Sequence, residues 1–487
     1  MAKVVFLGVD GATLDVVKPL IKNGDLPNFK RLLKSKYLKK LRSTYPPSSP
    51  PAWNSIFTGV NPGKHGIYDF VKRKHNSYFI EPVFSEDRKA PFIWEIPSMK
   101  KKKTIALSIP FAYPPRKLNG IMTTGLGSPS KESDFTYPAD FKKYITENYP
   151  DFDIDFEEHF FDFHNESEKA LDKIYEVTTA QFELAKDLFT NRKWDFLTIV
   201  FRSTDVIQHY FFNNKKIIKR YYQQMDNVVG WFMDHVDRDT YLITASDHGF
   251  REVRTKFLIN NWLKSQGYLN LQAPNEKESF TKIIDAGVIE KILFKLGFKK
   301  IIWLIKRSPL LEFVAKHFLK SARTNYFFNI DWEDTKAYFL SSFLYVNQKS
   351  REPSGIVSES EKNKLLLELK RKLMKLSHKG KPAIKKILLS DQIYTAQTEH
   401  TPDMIIIPND HIFVSGEVNH EPQFFQKELN RNGEHAVDGL ISVYHKNSQR
   451  MTKFISKKNL SLYDIAPSVL KMLKVKLSSE FDGSPLI

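Results

Sequence analysis

The chain of 487 residues contains no cysteine. That absence excludes disulfides, zinc–thiolate sites and a thiol nucleophile, so any metal has to be held by His, Asp or Glu. Long apolar runs are missing as well. A membrane-spanning helix needs roughly 18 or more apolar residues, and the nearest approach, IIWLI at 301–305, is hemmed in by lysines. The apolar run in MAKVVFLGVDG stops at Asp10, short of a signal-peptide core with its cleavage site, so a cytoplasmic protein is expected. Acidic residues are in deficit, 56 Asp and Glu against 74 Lys and Arg, for a formal net charge of +18. Such a balance favours partners that carry phosphate: nucleic acid, anionic lipid or phosphorylated metabolites.

What is present is ordinary for a folded protein: 41% hydrophobic and 27% charged residues. A prior of about 150 residues per domain suggests two or three units. Short apolar runs rich in β-branched residues recur: VVFLGVD (4–10), TIALSIP (104–110), FLTIVF (196–201), TYLITASD (240–247), MIIIP (404–408) and LISVY (440–444). Each reads as a strand buried on both faces. Helical patterns alternate with them at 26–34, 170–189, 216–236 and 359–376. This alternation predicts an α/β fold with a mostly parallel sheet and helices on both sides. The stretch 281–323 stands apart, with ten Lys or Arg against Asp285, Glu290 and Glu312, and with Pro309 separating two amphipathic segments. It reads as an inserted, mainly helical basic cap over 256–325, leaving 1–255 and 326–487 as a discontinuous core. A solvated helix face is the plain account of its charge, and docking on an anionic membrane or substrate the sharper one.

In an open α/β sheet, ligands bind beyond the carboxyl ends of the strands. The polar residues there form a set: Asp10 after the first run, Asp205 and His209 after the third, Asp247 and His248 after the fourth, and His435 just before the last. Asp205 and His209 stand at i and i+4, on one helix face. An exposed ion pair is the commoner meaning of that spacing. SDHG is more telling, because adjacent Asp and His at the end of a buried strand pack poorly, although a helix-capping Asp is its alternative. Three aspartates and three histidines suffice for two divalent cations, with Zn²⁺ first and Mn²⁺ as the alternative. Two metals roughly 4 Å apart suit phosphoryl transfer.

SSPPAWNSIFTGVNPGKHG, residues 48–66, then supplies a nucleophile. A serine facing two metals can lose its proton, attack phosphorus and form a phosphoseryl intermediate. Ser49 is the candidate, with Ser48 and Ser55 as local alternatives, and Pro50 and Pro51 stiffen the turn that follows. GVNPGKH is not a phosphate-binding P-loop, since three residues separate its glycines instead of four and His65 follows Lys64. H-E-x-x-H and G-x-S-x-G are absent. The aromatics, 13% of the chain, do not interleave with the basic cap as a nucleic-acid surface would require.

These segments together resemble the alkaline phosphatase superfamily, and within it the type I phosphodiesterase/nucleotide pyrophosphatase family. VVFLGVDGA, SSPPAWNSIFTGVNPGKHG, STDVIQHYF, TASDHGF and GEHAVDGLI follow the family's order, and LYDIAPSVLKML with FDGSPL is similar to its C-terminal helix and tail. The resemblance implies a three-layer α/β/α sandwich. It also implies that Asp205, His209 and His435 hold one metal, that Asp10, Asp247 and His248 hold the other, and that Ser49 faces both. One departure stands out. Nucleotide pyrophosphatases carry a phosphate-contacting asparagine a few residues after the His-Gly, where this chain has Phe70. The phosphate grip would then fall to Lys64, to Arg202 or to the cap, with a structural role as the alternative for both cations.

The expectation is a two-metal phosphoesterase that hydrolyses a phosphodiester or pyrophosphate bond in a small-molecule or lipid-linked substrate. Its alternatives are a phosphomonoesterase, a phosphotransferase or mutase, and an inactive protein that binds anions or membranes. No nucleic acid partner is expected. Peripheral membrane contact would run through the basic cap.

Overall fold

The computed structural model describes residues 2–156, 163, 167–272, 330–418, 422–428, 431–477 and 479–487. An eight-stranded sheet organises the body, in the order Leu38–Arg42, Asp438–Tyr444, Thr240–Ala245, Lys3–Val9, Phe196–Phe201, Thr104–Ile109, Gly120–Thr124, Thr136–Tyr137. The five strands from Thr240–Ala245 to Gly120–Thr124 run parallel, and the flanking pairings are antiparallel. Central strands are buried along their length, as a parallel sheet covered on both faces requires.

The expected helices are present as Pro27–Lys34, Ser167–Asn191, Lys215–His235 and Glu359–Met374. Ser167–Asn191 and Lys215–His235 pack together through Phe182, Trp231 and Phe232. Ser49–Thr58 and Ile465–Met472 lie against the first strand and each other, with Phe6 edge-on to Trp53 and Phe57. Short helix Ser203–Phe211 leaves the carboxyl end of Phe196–Phe201 directly.

One strand takes a different place from the one its composition predicts. Met404–Pro408 does not enter the main sheet. It pairs antiparallel with Phe343–Val346 and Ile384–Leu389 in a separate four-stranded sheet, completed by Ala337–Leu340 beyond Phe343–Val346, which has its own apolar core. A short apolar run reports burial but not which sheet buries it. Of the expected cap, 273–325 lies outside the described residues. Its described beginning completes strand Gly249–Leu258 and helix Ile259–Ser265, which joins the core of the second sheet. Among the described residues no helix is long and apolar enough to cross a membrane.

Candidate active site

Separate features of the fold bring the polar residues to one edge of the sheet. Strand Lys3–Val9 ends at Asp10, and Gly11 follows with φ +68°, a conformation that glycine adopts without steric cost. That turn aims the Gly11 amide at Asp247 Oδ1, 3.1 Å away, tying the ends of two adjacent strands together. Helix Ser203–Phe211 carries Asp205 and His209 one turn apart, with Oδ1 and Nε2 separated by 3.5 Å. Strand Gly433–Ala436 pairs antiparallel with Gly249–Leu258, setting His435 opposite Phe250 and bringing its ring over the same edge.

The six residues fall into two adjoining groups. In the first, His248 Nε2 lies 3.5 Å from Asp10 Oδ1 and 3.2 Å from Asp247 Oδ2, all three side chains being fully buried. In the second, Asp205 Oδ1 lies 3.2 Å from His435 Nε2, and the Nε2 atoms of His209 and His435 are 3.0 Å apart. His248 stands between the groups, 3.9 Å from Asp205 Oδ1. The Nδ1 atoms of His209 and His248 donate to the carbonyls of Gly433 (3.0 Å) and Gly249 (3.1 Å), which leaves both Nε2 lone pairs facing the carboxylates.

The electrostatics of this cluster are strained. Burial, reinforced by Asp247 and Asp205, raises the Asp10 carboxyl well above its ordinary range. Burial pushes Asp247 up to about 7, against the stabilising Gly11 hydrogen bond. Asp205 is held far below the usual value because His209, His435 and His248 outweigh its burial. Burial lowers His209 to about 4 and, with His435 nearby, His248 to about 3. Burial opposes protonation of His435 too, but Glu434 and Asp205 raise it. Asp10 Oδ1 and Asp247 Oδ2 are buried without a hydrogen-bond partner. Unpaired buried carboxylate oxygens are costly. Two of them converging on one imidazole, with N and O donors on the other side, fit divalent cations.

Ser49 is the first residue of helix Ser49–Thr58, and its Oγ lies 3.3 Å from His248 Nε2. The prolines behind it occupy the first turn, where their missing N–H groups are not needed. The alternative serines have other places: Ser55 Oγ is bonded to His65 Nε2 at 3.0 Å, and Ser48 is the N-cap. Asp10, Asp205, His209, Asp247, His248, His435 and Ser49 are therefore brought together. The remaining candidates have partners of other kinds. Lys64 is paired with Asp482 and donates to the Glu480 carbonyl (3.1 Å), tying down the C-terminal tail. Arg202 reaches Asp155 Oδ1 at 3.3 Å, and the Phe70 ring packs edge-on against Phe111.

One acid at the site escaped the sequence reading. Glu434 lies with His209 and His435 in a group close enough to hold an ion. Its Oε1 accepts the His435 N–H at 3.0 Å and stands 3.5 Å from His435 Nδ1, while Arg431 Nη1 donates to its Oε2 at 3.0 Å. His435, Arg431 and His209 outweigh burial and lower its carboxyl to about 2. Its position next to His435 in GEHAVDG was the available signal.

The family model for type I phosphodiesterase/nucleotide pyrophosphatase matches residues 4–438. Phosphonoacetate hydrolase from Sinorhizobium meliloti 1021, solved with phosphonoformate, superposes with a TM-score of 0.56 at 10% identity, over 97% of this chain and 95% of its own. Human ectonucleotide pyrophosphatase/phosphodiesterase 5 gives 0.52 at 11% identity, over 99% and 97%. An inactive variant of the murine enzyme in complex with AMP gives 0.52 at 11% identity, over 99% and 98%. At such identities the likeness concerns the fold. No curated protein matches the chain in sequence. The match over most of the chain settles the family: this protein belongs to the type I phosphodiesterase/nucleotide pyrophosphatase family of the alkaline phosphatase superfamily, and is a phosphoester hydrolase.

Proposed function

We propose that the site hydrolyses a phosphodiester or pyrophosphate bond through a phosphoserine on Ser49. Asp10, Asp247 and His248 would hold one divalent cation and Asp205, His209 and His435 a second, zinc in preference to manganese. The observation that carries this reading is the position of Ser49 Oγ, 3.3 Å from the His248 nitrogen on which the free oxygens of Asp10 and Asp247 converge. Bound there, the cations supply a lowered pKa for the serine hydroxyl and neutralising charge for the phosphoryl oxygens.

The chain's own residues do the rest. Ser49 Oγ, having lost its proton, attacks phosphorus; the bond from phosphorus to the leaving oxygen breaks and that oxygen departs with a proton. Water then adds its OH to phosphorus, its other proton restores the Ser49 hydroxyl, and the phosphoryl group leaves as phosphate or its monoester. Ser49 sits at the positive end of its helix, which favours an anionic phosphoryl group beside it. His209 and His248 remain neutral at pH 7, so their Nε2 atoms are available as donors to a cation. The substrate is a phosphate-bearing small molecule or lipid-linked compound. Phe70, where the family's asparagine would stand, argues against a grip of the nucleotide pyrophosphatase kind.

The test is hydrolysis of bis-p-nitrophenyl phosphate and p-nitrophenyl phosphate side by side, with Zn²⁺ or Mn²⁺ supplied, for the wild type and Ser49→Ala. Faster turnover of the diester, lost in the variant, is expected. Faster turnover of the monoester would replace the diesterase reading with a phosphatase or mutase, and undiminished turnover by Ser49→Ala would remove the serine from the mechanism.

A further inference from the structure

The nucleophile and one of the candidate metal aspartates are connected by a side chain that has no part in the chemistry so far described. Trp53 stands one turn after Ser49 in helix Ser49–Thr58, so both project from the same helix face. Its indole N–H donates to Asp10 Oδ2 at 2.9 Å, and both residues are completely buried. The strand beneath is shaped for this contact. Side chains at alternate positions share a face, and Phe6, Gly8 and Asp10 form such a row. Phe6 meets the indole edge-on, while a Cβ on Gly8 would come within 2.5 Å of Trp53 Cη2. Phe57 stacks on the same ring and meets Phe6 edge-on. Glycine at position 8 thus lets the indole lie along the strand and reach the carboxylate at its end.

The consequence concerns which oxygen of Asp10 is free. Oδ2 is occupied by the indole, whereas Oδ1 has no hydrogen-bond partner and faces His248 Nε2. His248 Nε2 in turn meets Ser49 Oγ. Ser49, its helix, Trp53, Asp10 and His248 form a closed ring of contacts. The geometry points to Trp53 as a positioning residue that presents Asp10 to a cation through a single oxygen and fixes the distance between that ligand and the nucleophile. A buried tryptophan usually needs a partner for its N–H, and a backbone carbonyl would serve packing equally well. Here the partner is a carboxylate with an otherwise unpaired second oxygen. This inference rests on the two-cation reading above.

The experiment measures cation binding directly, by calorimetric titration of metal-free wild type, Trp53→Phe and Ser49→Ala with Zn²⁺ and with Mn²⁺. Wild type and Ser49→Ala are expected to take up two cations. Trp53→Phe should take up one as before and the other about 10- to 100-fold more weakly, the usual effect of removing a hydrogen bond to a metal ligand. Its hydrolysis should recover as the metal concentration is raised, which a packing defect would not allow. Should Trp53→Phe fail to fold, benzothienylalanine at position 53 keeps the ring's shape and removes only the N–H, with the same selective loss expected. Two unchanged affinities in the substituted protein would overturn the role of Trp53 and leave the two-cation reading standing. A wild type that binds no divalent cation would overturn both.

Discussion

The two halves of the site use the same residue types in opposite proportions. Asp10, Asp247 and His248 offer two carboxylates and one imidazole, entirely buried at the ends of two parallel strands. Asp205, His209 and His435 offer one carboxylate and two imidazoles, with side-chain exposures of 5, 10 and 16%. A dication in the first half would be neutralised, whereas one in the second would keep a net positive charge. On the two-cation reading proposed above, the neutral half would bind more tightly and suit harder ions, while the imidazole-rich half would suit zinc and retain charge for an incoming phosphate. The carboxyls follow the same division. Without a cation, burial, reinforced by neighbouring carboxylates, raises Asp10 and Asp247, while Asp205, surrounded by histidines, stays ionised.

The comparison breaks most sharply in its carboxylate-rich half. Asp247→Asn should reduce the bound metal from two ions to one and slow diester hydrolysis by on the order of 10³-fold, equivalent to about 4 kcal/mol of lost transition-state stabilisation. Metal analysis beside kinetics checks this. Two ions retained in the variant would mean that the halves do not bind separately.

A smaller effect is expected in the other half. His435→Gln should weaken one cation by about 100-fold without disturbing its neighbour. In the wild type, a graded chelator should strip this imidazole-rich half first. Simultaneous loss of both ions would erase the proposed difference. Titration adds a third test. Protons and cations compete for the same atoms, and the Asp247 carboxyl is pushed up to about 7. Below that value a proton must leave Asp247 before a cation is held there, so affinity should rise with pH, by up to about tenfold per unit for each proton displaced, and the Asp247 share of that slope should disappear above about 7. Calorimetry in buffers of different ionisation enthalpy would report the released proton.

Much of this arrangement was legible in the sequence because the main sheet is parallel. Each central strand reads as an apolar run ending at the sheet edge where ligands bind, so the terminal Asp10 and Asp247 and the nearby Asp205 mark the site directly. The i, i+4 spacing of Asp205 and His209 gave their convergence as well. MIIIP was harder, because its apolar run carries no information about its strand partners, and one strand it pairs with, Phe343–Val346, is distant in the chain. Trp53 reads as one more core aromatic until the partner of its N–H is known. Glu434 was hidden by alternation. Successive residues of a strand point to opposite faces, which would send Glu434 away from His435, but its side chain curls back to accept the His435 amide.

That curl yields the smallest of the expected effects and separates the two halves once more. His209 and His248 are oriented by backbone carbonyls, which no substitution of their own side chains can remove. His435 instead has the Glu434 carboxylate beside Nδ1, and Arg431 steadies that carboxylate from behind. A negative charge there favours the tautomer with Nδ1–H, leaving the Nε2 lone pair facing Asp205, and makes the ring a stronger donor. Glu434→Gln keeps the shape and a hydrogen-bonding oxygen but removes the charge. It should weaken the cation of the imidazole-rich half by about tenfold while leaving the other half unchanged. A loss confined to the Asp10 half would mean that Glu434 acts through Arg431 and the surrounding loop, whereas complete loss of one ion would make Glu434 itself a ligand.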